Sequence, residues 1–172
     1  MNELGVKNYS TICANVELIP LAGKGFDKAL AIDIIEHVLN PEKFCCEAHR
    51  LLKNNGELLI TFPAMHDRYI KLFSLIGRYI LDRKKKEVVV SGWNPDDHNH
   101  NYSLPKWISL VSSCGFKFKK SRATTMFPPL HLYGVPRFWF ANDIVYKFDS
   151  FFCRMPLIKS FGQSLVCVFY KK

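Results

Sequence analysis

Two short polar segments of this 172-residue chain carry the side chains best suited to chemistry. Asp33, Glu36 and His37 follow an apolar run, and His98 lies in the later segment NPDDHNHNYS. Neutral imidazole accepts a proton near pH 7, so His37 and His98 are the candidates for a catalytic general base. For each histidine, the alternative is a structural side chain that caps a turn.

The same residue types can bind metal ions. Asp33, Glu36 and His37 offer two carboxylates and an imidazole in one turn, and His98 and His100 are two residues apart in a polar loop. Carboxylate oxygens and imidazole nitrogens are common ligands of divalent cations. Neither group has the spacing of a specific site, so we predict polar turns and no metal there.

A predicted βαβ unit positions the first polar segment. An apolar strand over Lys28–Ile32 precedes it, an amphipathic helix follows from Pro41 to about Lys53, and a second apolar strand covers Glu57–Phe62. This connection implies parallel strands whose carboxyl ends gather polar groups. The helix is predicted to be capped by Asn40, to end at Asn54–Gly56, and to face solvent through Lys43, Glu47 and Arg50.

The order of these residues resembles a known family. Phe26 and Asp27 open the strand, D-x-x-E-H-V-x-x-P starts at Asp33, R-L-L-K-x-x-G starts at Arg50, and the next strand ends in Pro63. This resembles the second half of a class I S-adenosylmethionine-dependent methyltransferase of the type 11 group, which includes the ubiquinone-biosynthesis methyltransferases. The resemblance implies an α/β fold with an incomplete Rossmann-like sheet, mostly parallel with an antiparallel last strand, and helices on both faces.

The resemblance also implies roles for individual residues. Glu36 is expected beside the methyl acceptor, with His37 or His98 as the base where the acceptor is a phenol or catechol. In ubiquinone-type methyltransferases the E-H pair can contribute to a divalent-metal site with the acid three residues earlier. The residues expected to contact S-adenosylmethionine lie at two turns: Asn15, Val16, Asp33 and Ile34.

A second pattern implies contacts to the substrate. His98, Tyr102 and Ser103 match H-x-x-x-(aromatic)-(Ser/Thr), which in the family precedes a helix beside the substrate pocket. The aromatic-rich segment 128–152 matches an insertion that often covers the substrate. Arg137 within it is expected to bind an anionic or aromatic substrate or to lie at a membrane surface, and core packing of an inserted helical pair is the alternative.

The other predicted elements follow from hydrophobic periodicity and turn residues. They are a strand at Tyr9–Ala14, a helix at Asp67–Leu81, a helix at Leu104–Ser113 capped by Ser103, a strand at Phe116–Thr125, and a last strand at Ser164–Tyr170.

The glycine-rich cofactor loop of the family is missing. The only Gly-x-Gly of the chain, Gly23 to Gly25, comes directly before a predicted strand instead of between a strand and a helix. We therefore expect one truncated methyltransferase-like domain over residues 1–172, with an unpaired apolar edge at Lys28–Ile32. The N-terminal strand, a protein partner or a second copy would cover that edge, or the chain is a fragment of a longer product.

Composition limits the remaining possibilities. A hydrophobic content of 48% is enough for a packed core, and the formal net charge of +9 favours anionic partners or simply a solvated basic surface. The six cysteines include no C-x-x-C pair, which is typical of reduced thiols in a cytoplasmic protein. We expect methyl transfer to a small-molecule or lipid-like acceptor, with peripheral membrane contact as an option and no nucleic acid partner. The competing hypothesis is a non-catalytic binding or assembly module.

Overall fold

The computed structural model describes residues 7–63, 98–124, 143–156, 162 and 164–172. The helices and strands within them, in chain order, are β1 (Phe26–Ile32), α1 (Pro41–Leu51), β2 (Leu52–Pro63), α2 (Leu104–Ser113), β3 (Phe116–Ala123), α3 (Asp143–Phe152) and β4 (Ser164–Lys171).

The four strands form one mixed sheet with the order β1-β2-β4-β3. β1 and β2 are parallel, and β4 is antiparallel to both of its neighbours, β2 and β3. Three strands therefore run in one direction, and only the last strand of the chain runs against them. The predicted fold class, an α/β Rossmann-like sheet that is mostly parallel with an antiparallel last strand, is confirmed.

The boundary between α1 and β2 differs from the prediction. α1 ends at Leu51, and β2 begins at Leu52, whose amide donates to Ala48 O as the last helical bond. The chain then enters the sheet at once, so Asn54–Gly56 belongs to the strand. Asn55 nevertheless adopts a left-handed conformation, with a φ of 62°, which is common just after the end of a helix. The register of the β1–β2 pair shifts between Phe26 and Lys28, opposite this irregular start.

One face of the sheet carries the hydrophobic core. Leu58, Ile60 and Phe62 of β2 pair with Phe169, Cys167 and Leu165 of β4, and all six are at most 2% exposed. Trp107 of α2 lies 5.4 Å from Phe62 between ring centroids, and His49 of α1 lies 5.2 Å from Phe116 of β3. α1 and α2 therefore cover this face together.

The opposite face is more open at β1. Leu30 and Ile32 are 64% and 58% exposed. β1 is also the end strand of the sheet, and among the described residues no further strand pairs with its outer edge. This arrangement agrees with the expected apolar edge.

Most of the other helices and strands begin where the sequence predicts. α2 has its predicted bounds, β3 and β4 begin where expected, and Asn40 caps α1 by accepting a bond from Lys43 N at 3.0 Å. Ser103 occupies the N-cap position of α2 without making a side-chain capping bond. The predicted strand at Tyr9–Ala14 was wrong: these residues have no regular secondary structure, and only an isolated bridge joins Asn15 to Leu18.

Glu47 was also predicted wrongly, because it is 8% exposed instead of facing solvent. Its carboxylate accepts bonds from Ile19 N and from the Arg50 guanidinium, which fold over the helix side. The predicted helix at Asp67–Leu81 and residue Arg137 lie outside the described residues. Within the described ranges, no helix has the length and apolar character needed to cross a membrane.

Candidate functional site

The turn after β1 is fixed to the end of β2 by Asp33 and Thr61. Asp33 N donates to Thr61 Oγ1 at 2.9 Å, and that hydroxyl donates back to Asp33 Oδ1 at 2.8 Å. Asp33 adopts a φ of 49°, a left-handed conformation that Asp tolerates better than most residues. The chain therefore turns sharply at the carboxyl ends of two parallel strands, where open α/β sheets bind their ligands.

Glu36 is the buried acid of this turn. It is 1% exposed, and its Oε2 has no hydrogen-bond partner among the described residues. Burial raises the pKa of the Glu36 carboxyl, a bond to its own backbone amide opposes this, and the charge of Asp33 raises the pKa further. A buried carboxylate with an unused oxygen is costly to the fold, so its position calls for a functional explanation.

His37 and His98 face Glu36 from two different segments. His37 Nε2 lies 4.0 Å from Glu36 Oε1, and the His37 and His98 rings meet edge to face with centroids 4.8 Å apart. One ligand atom from each of the three residues falls within a single 4.8 Å cluster. Residues 61 positions apart in the sequence therefore form one group, which we call the Glu36–His37–His98 cluster.

Backbone contacts hold the His98 segment against the turn. His100 N donates to Glu36 O at 3.0 Å, and Asn99 Nδ2 donates to His37 O at 2.6 Å. His100 Nε2 also lies 3.3 Å from Leu39 O. All three bonds come from the two residues that follow His98, so they hold this loop against the turn with the His98 ring beside that of His37.

Tyr102 borders the cluster on the α2 side. Its ring lies 5.4 Å from His100 and 4.9 Å from Trp107, between centroids, and Lys106 Nζ lies 3.6 Å above it. A cation over an aromatic face is an attractive contact. Tyr102 thus links the loop to the core through Trp107, with a half-buried ring near the site.

Asn15 and Val16, two of the residues predicted to contact S-adenosylmethionine, lie at a separate turn. Asn15 Oδ1 accepts from Glu17 N at 2.9 Å, and Val16 packs against the core. Glu17 Oε1 in turn accepts from Asn40 N at 2.8 Å, which places this turn against the start of α1. The fold therefore brings Asp33, Glu36, His37, His98 and Tyr102 to one region, with Ile34 37% exposed within the same turn.

The Gly23–Gly25 turn packs against the end of α1. Lys24 N and Gly25 N donate to Arg50 O and Leu51 O, and a Cβ on Gly23 would lie 2.9 Å from Arg50 O. Gly23 is required by this close backbone approach to the carboxyl end of α1. The turn does not form an anion cradle, which uses a helix amino end.

The cluster has two chemical capacities. An imidazole can accept a proton from a bound hydroxyl, and the Glu36 carboxylate next to it would stabilise the resulting imidazolium. A carboxylate oxygen and two imidazole nitrogens could equally hold a divalent cation, with Glu36 Oε2 available as a ligand atom. In either case Asp33 is not part of the cluster, because Thr61 holds its carboxylate.

Sequence reasoning missed two residues of this region, Thr61 and Asn99. Thr61 interrupts the apolar pattern of β2 near its carboxyl end, and that interruption was the available signal. Asn99 lies in a polar loop in which nothing distinguishes it from its neighbours.

Comparisons with known proteins match this architecture. Residues 2–60 match a family model described as a methyltransferase domain. A SAM-dependent methyltransferase of Thermotoga maritima superposes on 92% of this chain with a TM-score of 0.55 and 18% identity. The fold is that of the class I methyltransferases. The predicted resemblance is therefore confirmed at the level of the fold.

Two further solved structures show how broad this fold is. A Galdieria sulphuraria protein with a proposed sarcosine dimethylglycine methyltransferase activity matches 99% of the chain, with a TM-score of 0.56 and 20% identity. The [4+2]-cyclase SpnF matches 93% of it, with a TM-score of 0.53 and 12% identity.

This methyltransferase-fold chain is shorter than those proteins. It spans 62% of the Thermotoga protein, 63% of the Galdieria protein and 54% of the cyclase. None of the curated proteins matches its sequence.

Proposed function

We propose that this chain is the acceptor side of an S-adenosylmethionine-dependent methyltransferase that acts on a small-molecule or lipid-like acceptor bearing a hydroxyl group. The observation that carries the proposal is Glu36, a buried carboxylate with an unused oxygen, next to two imidazoles at the carboxyl end of β1. Methyltransferase folds bind their ligands at that edge of the sheet.

His37 is the proposed general base. It is exposed to solvent on one side and lies 4.0 Å from Glu36 Oε1 on the other. A hydroxyl bound beside it can transfer its proton to the neutral imidazole, and the Glu36 carboxylate then stabilises the imidazolium. His98, held by the bonds of Asn99 and His100, is the proposed partner that orients the acceptor.

Asp33 and Ile34 are the residues of the described region proposed to lie beside the cofactor. S-adenosylmethionine supplies an electrophilic methyl group when it is bound, and alignment of acceptor and methyl group is the main requirement for transfer. The Gly23–Gly25 turn packs on α1, so within the described residues this turn is not available as a glycine-rich loop for the cofactor. We infer that this loop comes from another polypeptide segment or chain.

Calorimetric titration of the purified full chain with S-adenosylhomocysteine tests this proposal, with light scattering to give the oligomeric state. We expect binding that Asp33→Asn weakens at least tenfold. Asp27→Asn is the matched control, because Asp27 lies at the opposite end of β1, the strand that leads to Asp33, and pairs with Lys53. Equal loss in both variants would show that the effect is structural.

A second pair of variants tests the acceptor side. In a screen of phenolic and other hydroxyl acceptors with S-adenosylmethionine, we expect Glu36→Gln and His37→Asn to lower the rate by two orders of magnitude or so. Glu57→Gln is the control, because Glu57 lies in the middle of β2, away from the turn after β1, and pairs with Lys28 and Lys119. An active chain whose rate is insensitive to both site variants would overturn the assigned roles.

The second candidate function is a binding or assembly module that has kept part of the fold without its cofactor site. The packing of Gly23 against Arg50 favours it, since the only Gly-x-Gly is used for structure. The similarity to the cyclase SpnF also shows that this fold is not confined to proteins described as methyltransferases. Failure of S-adenosylhomocysteine to bind, at ligand concentrations in the millimolar range, would favour this candidate.

A further inference from the structure

Two thiols from distant parts of the sequence meet at the side of the molecule where α1 packs on α2. Cys46 Sγ of α1 lies 3.2 Å from Cys114 Sγ, and Cys114 directly follows the last residue of α2. The Cys46 side chain is exposed, and Cys114 is half-buried, with its Sγ 3.4 Å from Glu42 O. A disulfide bond is about 2.05 Å long, so the sulfurs need to approach by only about 1.2 Å.

Contacts between α1 and the chain after α2 hold the two cysteines close together. Gly115 has a φ of 92°, and a Cβ there would lie 2.8 Å from His49 Nε2 of α1, so the chain after Cys114 passes close against that helix. The next residue, Phe116, is buried and packs on the His49 ring. Lys171 Nζ donates to His49 O and Leu52 O and fastens the end of α1 to β4.

We propose that Cys46 and Cys114 are a redox modification site, at which hydrogen peroxide converts the two thiols into an intramolecular disulfide. Cys46 is the exposed sulfur, and it attacks the peroxide; the O–O bond breaks, and a sulfenic acid and one water form. Cys114 sulfur then attacks Cys46 sulfur, the S–OH bond breaks, and the Cys114 proton leaves with hydroxide as a second water. Two thiols are oxidised and one peroxide is reduced to two waters.

The order of these steps follows from the environments of the thiols. Burial, together with the bond from Cys46, raises the pKa of Cys114 to about 12, so Cys114 is a poor first nucleophile. Cys45 is buried on the same helix, and burial raises its pKa as well. Adjacent residues of a helix do not face each other, so Cys45 is not a disulfide partner for Cys46.

The disulfide would connect the two helices that carry the polar loops. α1 starts directly after the turn of Glu36 and His37, and α2 starts directly after the loop of His98. A covalent bond between α1 and the end of α2 therefore restricts the relative movement of both loops. This inference stands on the thiol geometry and does not depend on the proposed function.

Peptide mapping of the purified full chain under non-reducing conditions, after mild hydrogen peroxide treatment, tests the proposal. We expect a cross-linked peptide that contains Cys46 and Cys114 in monomeric protein. Cys46→Ser and Cys114→Ser should each abolish it, and Cys13→Ser, which removes another exposed thiol, should leave it intact. A Cys45–Cys114 bond, a disulfide between molecules, or an oxidised Cys46 beside a free Cys114 would overturn the proposal.

Two physical measurements test the consequence of the bond. We expect the oxidised chain to melt higher than the dithiothreitol-treated chain by on the order of 5 °C or more, and the Cys46→Ser variant to show no such difference. Hydrogen exchange of the His100 amide, which donates to Glu36 O at 3.0 Å, should slow several-fold on oxidation. Unchanged melting and exchange in cross-linked protein would show that the bond does not restrict the loops.

Discussion

Glu36, in the turn before α1, and Glu47, within α1, are both buried, but their hydrogen-bond surroundings are opposite. The Glu47 carboxylate accepts one hydrogen bond from Ile19 N, at 2.7 Å, and two from the Arg50 guanidinium. Glu36 Oε2, in contrast, has no hydrogen-bond partner in the described part of the chain. The bonds from Arg50 lower the pKa of Glu47, and burial raises the pKa of Glu36. The difference teaches that burial of a carboxylate indicates a site only when its hydrogen bonds are not used by the fold.

The largest expected effect is loss of stability in Glu47→Ala. This variant leaves Ile19 N–H without its acceptor and Arg50 without its partner, so we expect the free energy of unfolding to fall by about 2–3 kcal/mol. Urea denaturation monitored by circular dichroism measures it. Glu42→Ala is the control on the same helix, because Glu42 is exposed in the first turn and should cost only about 0.5 kcal/mol. Equal losses of stability in the two variants would show that the bonds of Glu47 do not stabilise the fold.

Glu36→Gln should move stability in the opposite direction. The amide keeps the shape of the side chain and removes a charge that burial disfavours, so we expect a gain of about 1 kcal/mol in the free energy of unfolding at pH 7. A loss of stability comparable to that of Glu47→Ala would show that Glu36 holds the fold together. Activity or ligand binding lost with stability retained would support a site.

The pH dependence of stability separates the two acids further. Because the pKa of Glu36 is raised in the folded chain, this residue contributes stability that is fully present below pH 4.5, its ordinary pKa. That stability is lost as the pH rises through the pKa of the folded state. Because the pKa of Glu47 is lowered in the folded chain, this residue contributes stability that is present above pH 4.5, its ordinary pKa. That stability is lost as the pH falls through the pKa of the folded state.

Denaturation curves from pH 3 to 8, roughly, should therefore diverge in opposite senses. Above about pH 4.5, Glu36→Gln should become more stable than the parent chain and Glu47→Gln less stable, and both differences should shrink in acid. Variants that follow parallel curves would contradict the assigned environments.

A smaller effect is expected at the other acid of the turn. Thr61→Val keeps the shape of the side chain but removes the hydroxyl that bonds to Asp33 N and Oδ1, so we expect a loss of about 0.5–1 kcal/mol in the same denaturation experiment. Thr61→Ser keeps the hydroxyl and serves as the control. If the two variants behave alike, the hydrogen bonds do not stabilise the turn.

The smallest effect is expected at Asp27, which is 78% exposed in its pair with Lys53. Exposed ion pairs contribute little, so Asp27→Asn should change the free energy of unfolding by less than about 0.5 kcal/mol. A larger change would mean that acids outside the site turn also carry stability, and the variant would then be unsuitable as the control for Asp33→Asn.

Much of the fold could be predicted from local patterns. The apolar periodicities, the Asn40 cap and the D-x-x-E-H segment indicated β1, α1 and α2 nearly at their observed bounds, because burial and capping act over a few residues. The prediction of a strand at Tyr9–Ala14 was wrong because such a stretch becomes a strand only when a neighbouring strand supplies hydrogen bonds. The solvent-facing prediction for Glu47 failed because Ile19, whose amide donates to its carboxylate, meets it only after the N-terminal segment folds across the helix.

For the candidate site, the sequence by itself determined the chemical groups, namely the carboxylates and imidazoles of Asp33, Glu36, His37 and His98. Only the tertiary structure decided which of them lie close together. The parallel β1–β2 pair directs Asp33 to Thr61 and leaves Glu36 beside His37, and the bonds of Asn99 and His100 bring His98 to them. Contacts between residues about sixty positions apart depend on loop closure and packing, which local spacing does not encode.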